Sequence, residues 1–129
     1  MRSTGRPTLF IVEDNFMYSY LLEATLKEQE NFKITTLSSG EECIELLENK
    51  PDIIILDYNL DNGMDGFETF KIIHELEPKI PVIVVSSQTD VQLAADILKH
   101  GAFDYIEKKN VEVTIGKLHQ SVLKALSKN

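Results

Sequence analysis

The sequence predicts an α/β domain built on a five-stranded parallel sheet with helices on both faces, and three observations support this fold class. Residues 53–56 are a continuous run of isoleucine and leucine, which is typical of a strand buried on both faces of a sheet. Strand-like and helix-like stretches alternate along the chain, and this alternation favours parallel strands joined by right-handed helical crossovers. The apolar run ends at Asp57, at the carboxyl edge where open α/β sheets bind ligands.

The first half of the chain supplies two strands and two helices. Residues 9–12 form an apolar strand, and Asn15 is suited to cap a helix at 16–29. A second strand at 33–37 is short and of mixed polarity, which suits an exposed sheet edge. A helix at 41–48 follows it.

The second half continues the alternation. Its predicted elements are a central strand at 53–57, a helix at 67–76, a strand at 82–86, a helix at 90–100, a last strand at 103–106 and a final helix after Asn110. The loop 58–66 is rich in Asn, Asp and Gly, which are turn residues. We expect Ser87 or Thr89 to cap the helix at 90–100.

Two helices carry stripes that predict their buried faces. The stripe of the first helix consists of Tyr18, Leu21, Leu22 and Thr25. The stripe of the last helix consists of Val111, Ile115, Leu118, Val122 and Leu126.

The polarity of the strands predicts their order. The runs at 9–12, 53–57 and 82–86 are the most apolar and belong in the centre, whereas 33–37 and 103–106 carry polar residues and belong at the edges. An order of 2-1-3-4-5 meets this condition and places the chain reversal between strands one and three. The carboxyl ends of the strands then bring together three acids, a hydroxyl and an amine: Glu13, Asp14, Asp57, Ser86 and Lys108.

Composition narrows the class of protein. A length of 129 residues fits one domain, which we expect at residues 8–129 after an N-terminal extension at 1–7. The net charge of −8, with 21 acidic against 13 basic residues, argues against direct nucleic-acid binding. The single cysteine, Cys43, excludes an internal disulfide. No apolar run suits a signal peptide or a membrane span, so we expect a cytoplasmic protein without membrane contact.

The acid cluster favours a cation. Carboxylates at close quarters repel one another, and protonation or a bound cation relieves the repulsion. Oxygen ligands suit Mg²⁺, which Glu13, Asp14 and Asp57 could hold. The backbone carbonyl of Asn59 is a candidate further ligand.

The same cluster suits phosphoryl chemistry. The Asp57 carboxylate could attack a phosphoryl group that the metal orients, and Ser86 and Lys108 could contact its remaining oxygens. Each residue alone also fits a structural role. The two acids after the first strand could begin a helix, Ser86 could cap a helix, and Lys108 could be a solvated surface charge. Their joint occurrence at four strand ends favours the phosphoryl site.

These residues resemble the receiver domains of two-component response regulators, of the chemotaxis-regulator type. The resemblance covers the chain from Thr8 onward, and its short motifs are specific in their order and spacing. It implies a doubly wound, flavodoxin-like fold with the order 2-1-3-4-5, so that order and the resemblance are not independent. The matching segments are Glu13-Asp14-Asn15, Leu56-Asp57, Met64-Asp65-Gly66-Phe67, Pro81-Val82-Ile83 leading to Ser86, and Gly101-Ala102-Phe103-Asp104-Tyr105-Ile106-Glu107-Lys108.

The resemblance implies a role for each site residue. Asp57 would accept a phosphoryl group from a phosphohistidine on a sensor histidine kinase or a histidine phosphotransfer protein, with Mg²⁺ bound by Glu13 and Asp14. Lys108 would contact the phosphoryl group, and Ser86 would supply the switch hydroxyl. Such a domain is not an enzyme, although it assists its own phosphorylation and dephosphorylation.

The resemblance also implies how the signal leaves the domain. Tyr105 would be the aromatic residue whose orientation follows the switch. The helix at 90–100, with the last strand and helix, would form the surface that changes and that an output protein could bind. A second copy of the chain is a further candidate partner.

Two departures from the family pattern stand out. Asp61 takes the place of a usual proline, in a loop 58–66 that is one residue longer than usual. Lys109 follows Lys108 where the family usually has proline. A cis bond before a non-proline residue costs about 2.5–4 kcal/mol, against about 0.5–1 kcal/mol before proline. We therefore predict a trans bond between Lys108 and Lys109, with the flexible Lys108 stem still reaching the site.

Three other functions are open at this point. A small Mg²⁺-dependent phosphatase with an aspartyl nucleophile usually has a second acid two residues later, where this chain has Asn59. A flavin-binding domain needs Gly, Ser or Thr after the first strand, where this chain is acidic. A docking module that takes no phosphate would not need the intact set of site residues. No effector domain follows Asn129, so we expect a stand-alone receiver or a fragment of a longer protein.

Overall fold

A computed structural model describes residues 5–61 and 63–128 and confirms the predicted fold class. The predicted N-terminal extension therefore lies outside the described residues at positions 1–4, as does Asn62 of the predicted loop 58–66. The five strands are β1 Thr8–Val12, β2 Lys33–Leu37, β3 Ile53–Asp57, β4 Val82–Ser86 and β5 Asp104–Glu107. The five α-helices are α1 Phe16–Gln29, α2 Gly40–Glu45, α3 Gly66–Leu76, α4 Val91–Lys99 and α5 Val111–Ser127.

All neighbouring strands are parallel, in the predicted order β2-β1-β3-β4-β5. Strands β3 and β4 are buried along their whole length, and β1 is buried except at Thr8. The edge strands are more exposed, as their mixed polarity predicted: β2 buries only Leu37 and β5 buries only Ile106. This arrangement places the carboxyl ends of β1, β3 and β4 side by side.

The sheet separates two apolar cores. Leu9, Ile11, Ile53 and Ile55 face the first core, which α1 and α5 close with residues such as Leu22 and Leu118. The alternate strand residues face the second core, which α2, α3 and α4 close: Phe10, Val12, Ile54, Leu56, Val82 and Val84. The continuous apolar runs are therefore explained, because each central strand must bury both of its faces.

Side chains cap the helices where they begin. Asn15 and Asn110 accept backbone hydrogen bonds from the first turns of α1 and α5, as predicted. The prediction that Ser87 or Thr89 caps α4 is wrong, because Asp90 is the cap and its carboxylate accepts from the N–H groups of Gln92 and Leu93. A carboxylate there also benefits from the helix dipole.

Several predicted boundaries differ from the structure by one residue, and the end of α2 differs by three. Helix α2 ends at Glu45, and a 3-10 turn at Leu47–Asn49 replaces its expected last turn. Lys50 then has a φ of 51°, in the left-handed region, and its N–H closes the turn by donating to the Leu47 carbonyl. Strand β5 begins at Asp104, one residue later than predicted.

The predicted stripes of α1 and α5 are partly wrong. Helix α1 buries Ser19, Leu22 and Leu26, because apolar residues occur around its whole circumference and do not select one face. Helix α5 buries Ile115, Leu118 and Val122 as predicted, but Val111 is 37% exposed. The rest of its buried face consists of Thr114, Ser121 and Ala125.

Within the described ranges, no helix is both long and apolar enough to cross a membrane.

Candidate functional site

Three acidic residues meet at the carboxyl edge of the sheet. Glu13 and Asp14 follow β1, and Asp57 is the last residue of β3. One carboxylate oxygen from each lies within 4.8 Å of those of the other two. Glu13 and Asp57 are buried, at 5% and 3% exposed, whereas Asp14 is half-buried. The sheet therefore brings together the acids that the sequence placed at its switch point.

Backbone hydrogen bonds hold these strand ends in place. The Glu13 N–H donates to the Leu37 carbonyl at 2.9 Å, which extends the pairing of β1 with β2 by one residue. The Tyr58 N–H donates to the Val85 carbonyl at 2.8 Å and continues the pairing of β3 with β4 beyond Asp57. The backbone at Glu13 and just after Asp57 is therefore paired with the neighbouring strands.

Lys108 reaches into the acid cluster from the loop after β5. Its Nζ lies 2.9 Å from Glu13 Oε1 and 3.4 Å from Asp57 Oδ2. Its backbone N–H donates to the Ser86 carbonyl at 2.7 Å, so the start of this loop is tied to the end of β4. The Lys108 ammonium therefore neutralises part of the charge of two buried carboxylates.

Burial perturbs the titration of this cluster. Loss of solvent, followed by the neighbouring Asp57 carboxylate, raises the pKa of Glu13 from its usual 4.5 to about 7, although Lys108 opposes the shift. Burial works to lower the pKa of Lys108, but its hydrogen bond to Glu13 and the charge of Asp57 outweigh it, so the pKa is raised. The lysine is therefore charged at neutral pH, and its positive charge stabilises the ionised form of Glu13.

Backbone N–H groups occupy one oxygen of each acid. Asn15 donates to Glu13 Oε2 at 3.1 Å, and Asn59 donates to Asp57 Oδ1 at 3.0 Å. Asp61, in the loop after β3, donates to Asp14 Oδ2 at 2.8 Å. The loop with its unusual Asp61 is thus attached directly to the acid cluster.

Ser86 lies at the end of β4 and is fully buried. Its hydroxyl donates to Asn59 Oδ1 at 3.3 Å and accepts from the Gln88 N–H at 3.0 Å. The same Asn59 oxygen accepts from the N–H and the hydroxyl of Ser87, at 3.0 and 3.1 Å. Asn59 is therefore engaged through its side chain and N–H, and a role for its carbonyl in metal binding stays a prediction.

Tyr105 lies on β5, half-buried against the second core. Its hydroxyl donates to the Gln88 carbonyl at 3.1 Å. Together with the contacts of Asn59 and Ser86, this bond completes a continuous route of hydrogen bonds that runs Asp57, Asn59, Ser86, Gln88, Tyr105. The three residues that the sequence suggested for a switch are therefore connected through two that it did not.

The loop after β3 must pass close to α3. A Cβ atom on Gly66 would lie 2.5 Å from the backbone of Tyr58, which is too close for any other residue without a shift of the chain. Glu41 of α2 holds the other side of this loop, because its Oε2 accepts from the Met64 N–H at 2.8 Å. These contacts fix the described part of the loop beside the site.

Every peptide bond in the described ranges is trans, which confirms the prediction for Lys108–Lys109. The Lys109 N–H donates to Thr114 Oγ1 of α5 at 2.9 Å, a bond that a proline at this position could not make. Thr114 is fully buried. Thr114 was not predicted from the sequence, since a threonine within a helical pattern carries no signal that its hydroxyl accepts from a neighbouring loop.

The family model of the response regulator receiver domain matches residues 9–122. The chain belongs to this family. The chain is 34% identical to the DNA-binding transcriptional regulator NtrC of Klebsiella pneumoniae over 104 residues, which are 80% of this chain and 22% of NtrC. It is 35% identical to the transcriptional regulatory protein AfsQ1 of Streptomyces coelicolor over 103 residues, which are 79% of this chain and 44% of AfsQ1. The receiver domain therefore spans less than half the length of these curated relatives.

Solved structures share the fold. The response regulator domain of Thermotoga maritima CheB has a TM-score of 0.84 and 24% identity, and the match covers 95% of this chain and 98% of that one. The phosphorylated cyanobacterial phytochrome response regulator RcpA also has a TM-score of 0.84 and 24% identity, with 97% of both chains covered. At this identity the likeness concerns the fold.

Proposed function

We propose that this receiver domain accepts a phosphoryl group on Asp57 from a phosphohistidine and signals through its α4–β5–α5 surface. The observation that carries the proposal is the pairing of the buried Asp57 with Lys108, beside two further acids that can hold a cation. The Asp57 carboxylate supplies a nucleophile, and the Lys108 ammonium 3.4 Å away supplies a cation for the transferred group. In this proposal residues 8–129 form the receiver domain and 1–7 an extension.

The proposed transfer is a single displacement at phosphorus by the Asp57 carboxylate. One of its carboxylate oxygens forms a bond to phosphorus while the bond from phosphorus to the donor nitrogen breaks. The electron pair of that bond returns to the imidazole, which takes up a proton. Lys108 and the hydroxyl of Ser86 then contact oxygens of the acyl phosphate. The domain carries out one such transfer and turns over no external substrate, so it is a signalling domain and not an enzyme.

The donor set suits a divalent metal ion. Glu13, Asp14 and Asp57 are carboxylates, which are the hard oxygen ligands that Mg²⁺ prefers, and the Asn59 carbonyl is a candidate fourth ligand. Bound Mg²⁺ would offset their mutual repulsion and orient the phosphoryl group toward Asp57. Lys108 must share Glu13 and Asp57 with the metal, so we expect its ammonium to move from Glu13 toward the phosphoryl oxygens.

The hydrogen-bond route from Asp57 to Tyr105 supports the proposed switch. A phosphoryl group adds about −1.5 to −2 charges and strong acceptor oxygens, which attract the Ser86 hydroxyl. Ser86 then has to leave Asn59, and the Gln88 carbonyl that holds the Tyr105 hydroxyl shifts with it. A cleft of about 430 Å³ lies beside Tyr105 between the start of α4, β5 and α5, so this change alters a surface that an output protein could bind.

Intact-mass measurement tests the phosphoacceptor. Incubation with acetyl phosphate and Mg²⁺ should add one phosphoryl group to the wild type and none to Asp57→Asn. The matched control is Asp96→Asn, which removes an exposed acid on α4 and should leave labelling unchanged. Undiminished labelling of Asp57→Asn would refute the assignment.

Amide chemical shifts test the switch. A phosphoryl mimic should shift the amides of α4, β5 and α5 as well as those of the loops around Asp57. Asn59→Ala removes the oxygen that holds Ser86, so without the mimic it should already shift the amides of Gln88 and Tyr105. Shifts confined to the loops around Asp57 in both experiments would contradict the proposed route.

A further inference from the structure

Lys108 is held by an aromatic ring as well as by the acids. Its Nζ lies 4.5 Å from the centroid of the Tyr18 ring, and a cation at this distance over a ring face is attracted by the quadrupole of the ring. Tyr18 lies in the first turn of α1, where its N–H donates to the Asn15 cap at 3.0 Å. The Asn15 cap that follows the acids therefore holds the backbone of Tyr18, whose ring contacts the lysine.

The ring of Tyr18 carries this contact, and its hydroxyl does not. The hydroxyl oxygen is buried next to the side chain of Thr114, whereas the ring face meets the ammonium. Burial also raises the pKa of Tyr18, so the phenol stays neutral at any ordinary pH. A phenylalanine ring would preserve the face that the ammonium meets.

The backbone beside Lys108 is held separately. The trans bond to Lys109 directs the next N–H onto Thr114 Oγ1, 2.9 Å away on α5. Thr114 is 0% exposed, so no water competes for its oxygen. This bond ties the turn after the lysine to α5, and the bond of the Lys108 N–H to the Ser86 carbonyl ties the lysine itself to the end of β4.

We propose that Tyr18 and Thr114 are positioning residues for Lys108 in the phosphoryl transfer. The Tyr18 ring restrains the position of the Lys108 ammonium, and Thr114 restrains the backbone next to Lys108. A lysine has a flexible four-carbon stem with much rotamer entropy to lose, so two restraints at its ends raise the fraction of molecules in which Nζ faces Asp57. This inference rests on the proposed role of Asp57 as phosphoacceptor.

Rates of labelling by acetyl phosphate with Mg²⁺ test the proposal on the whole chain. Tyr18→Leu removes the ring and should slow labelling about fivefold, whereas Tyr18→Phe should label within about twofold of wild type. Tyr20→Leu, the same change at an exposed position of α1, is the matched control. A Tyr18→Leu rate equal to that of Tyr20→Leu would overturn the role of Tyr18.

Thr114 is tested by a second pair of variants, which also serves if Tyr18→Leu does not fold. Thr114→Val keeps the shape of the side chain without the hydroxyl and should slow labelling about fivefold. Thr114→Ser keeps the acceptor and should restore the rate to within about twofold of wild type. Equal rates for the two variants would overturn the role of Thr114.

A readout without phosphoryl transfer separates this inference from the proposed function. In the unphosphorylated, metal-free protein, the ring current of Tyr18 should move the Lys108 Hε resonances upfield. The shift should persist in Tyr18→Phe and disappear in Tyr18→Leu. Unperturbed Hε resonances in the wild type would overturn the positioning by the ring. A wild type that shows the shift but is never labelled would refute the phosphoacceptor role and leave the placement of Lys108 intact.

Discussion

Replacing Lys108 by methionine measures how far one ammonium stabilises two buried carboxylates. Methionine keeps an apolar stem of similar length and removes the charge that lies 2.9 Å from Glu13 and 3.4 Å from Asp57. With an effective dielectric constant of about 20, each of these attractions is worth about 5 kcal/mol before any cost of desolvation. The lysine side chain is 18% exposed, so most of its hydration is already lost and offsets part of that gain.

The net cost of Lys108→Met should therefore be about 3 kcal/mol in the metal-free protein at pH 8, because the buried Asp57 carboxylate loses its cation and Glu13, whose pKa is already raised to about 7, must stay charged without a partner or take up a proton. This loss is large compared with the free energy of unfolding of a typical domain, which is about 5–15 kcal/mol. In urea it corresponds to a midpoint lower by about 1–3 M. Added Mg²⁺ should recover most of the loss, since a cation bound to the native state replaces the missing charge.

Controls make this measurement specific to the buried cluster. Lys109→Met removes a side chain that is 54% exposed and should change the free energy of unfolding by less than about 0.5 kcal/mol. In a Glu13→Gln background, Lys108→Met should cost about 1–2 kcal/mol less, because one of the two anions is absent. The reasoning fails if Lys108→Met and Lys109→Met unfold at the same urea concentration without metal.

Three further predictions concern the same site. In Mg²⁺ titrations, Asp14→Ala should abolish binding and Glu13→Ala should weaken it, and equal affinity in all three proteins would place the metal elsewhere. Because the pKa of Glu13 is raised to about 7 from 4.5, its contribution to stability is present in full below pH 4.5 and is lost as pH rises through 7. Urea unfolding of the metal-free wild type should thus lose up to about 3 kcal/mol relative to Glu13→Gln between pH 5 and 8, and parallel curves would contradict the shift. Gly66→Ala should lower the free energy of unfolding by about 1–3 kcal/mol, since its Cβ would lie 2.5 Å from the Tyr58 backbone, and an unchanged thermal midpoint would show that the loop can move aside.

The fold was predictable from sequence because the central strands bury both faces and so appear as continuous apolar runs. The strand that ends at Asp57 has the bounds that its run indicated, and the strand order followed from polarity and from the family resemblance. The buried face of α1 was not predictable, since Phe16, Met17 and Tyr20 are as apolar as the residues it buries and yet are 83, 64 and 58% exposed.

The acid cluster was equally accessible from sequence, because parallel strands bring their carboxyl ends to one edge. The residues that connect the cluster to its surroundings could not be predicted from the sequence. Asn59 was expected to act through its carbonyl, but its side chain holds Ser86 and Ser87. Thr114 and Tyr18 depend on how α1, α5 and the loop after β5 pack together, and such polar partnerships have no periodic signature in the chain.

The two apolar cores give the site two sides that can vary separately. Tyr18, which meets the ammonium of Lys108, packs against the core under α1 and α5, whereas Tyr105 packs against the core under α2, α3 and α4. Substitutions under α1 and substitutions under α4 therefore repack different cores, and the hydrogen bonds of Asn59, Ser86 and Gln88 link the two sides. Duplicated copies of such a domain can thus diverge in the packing of one side while these few polar contacts are kept.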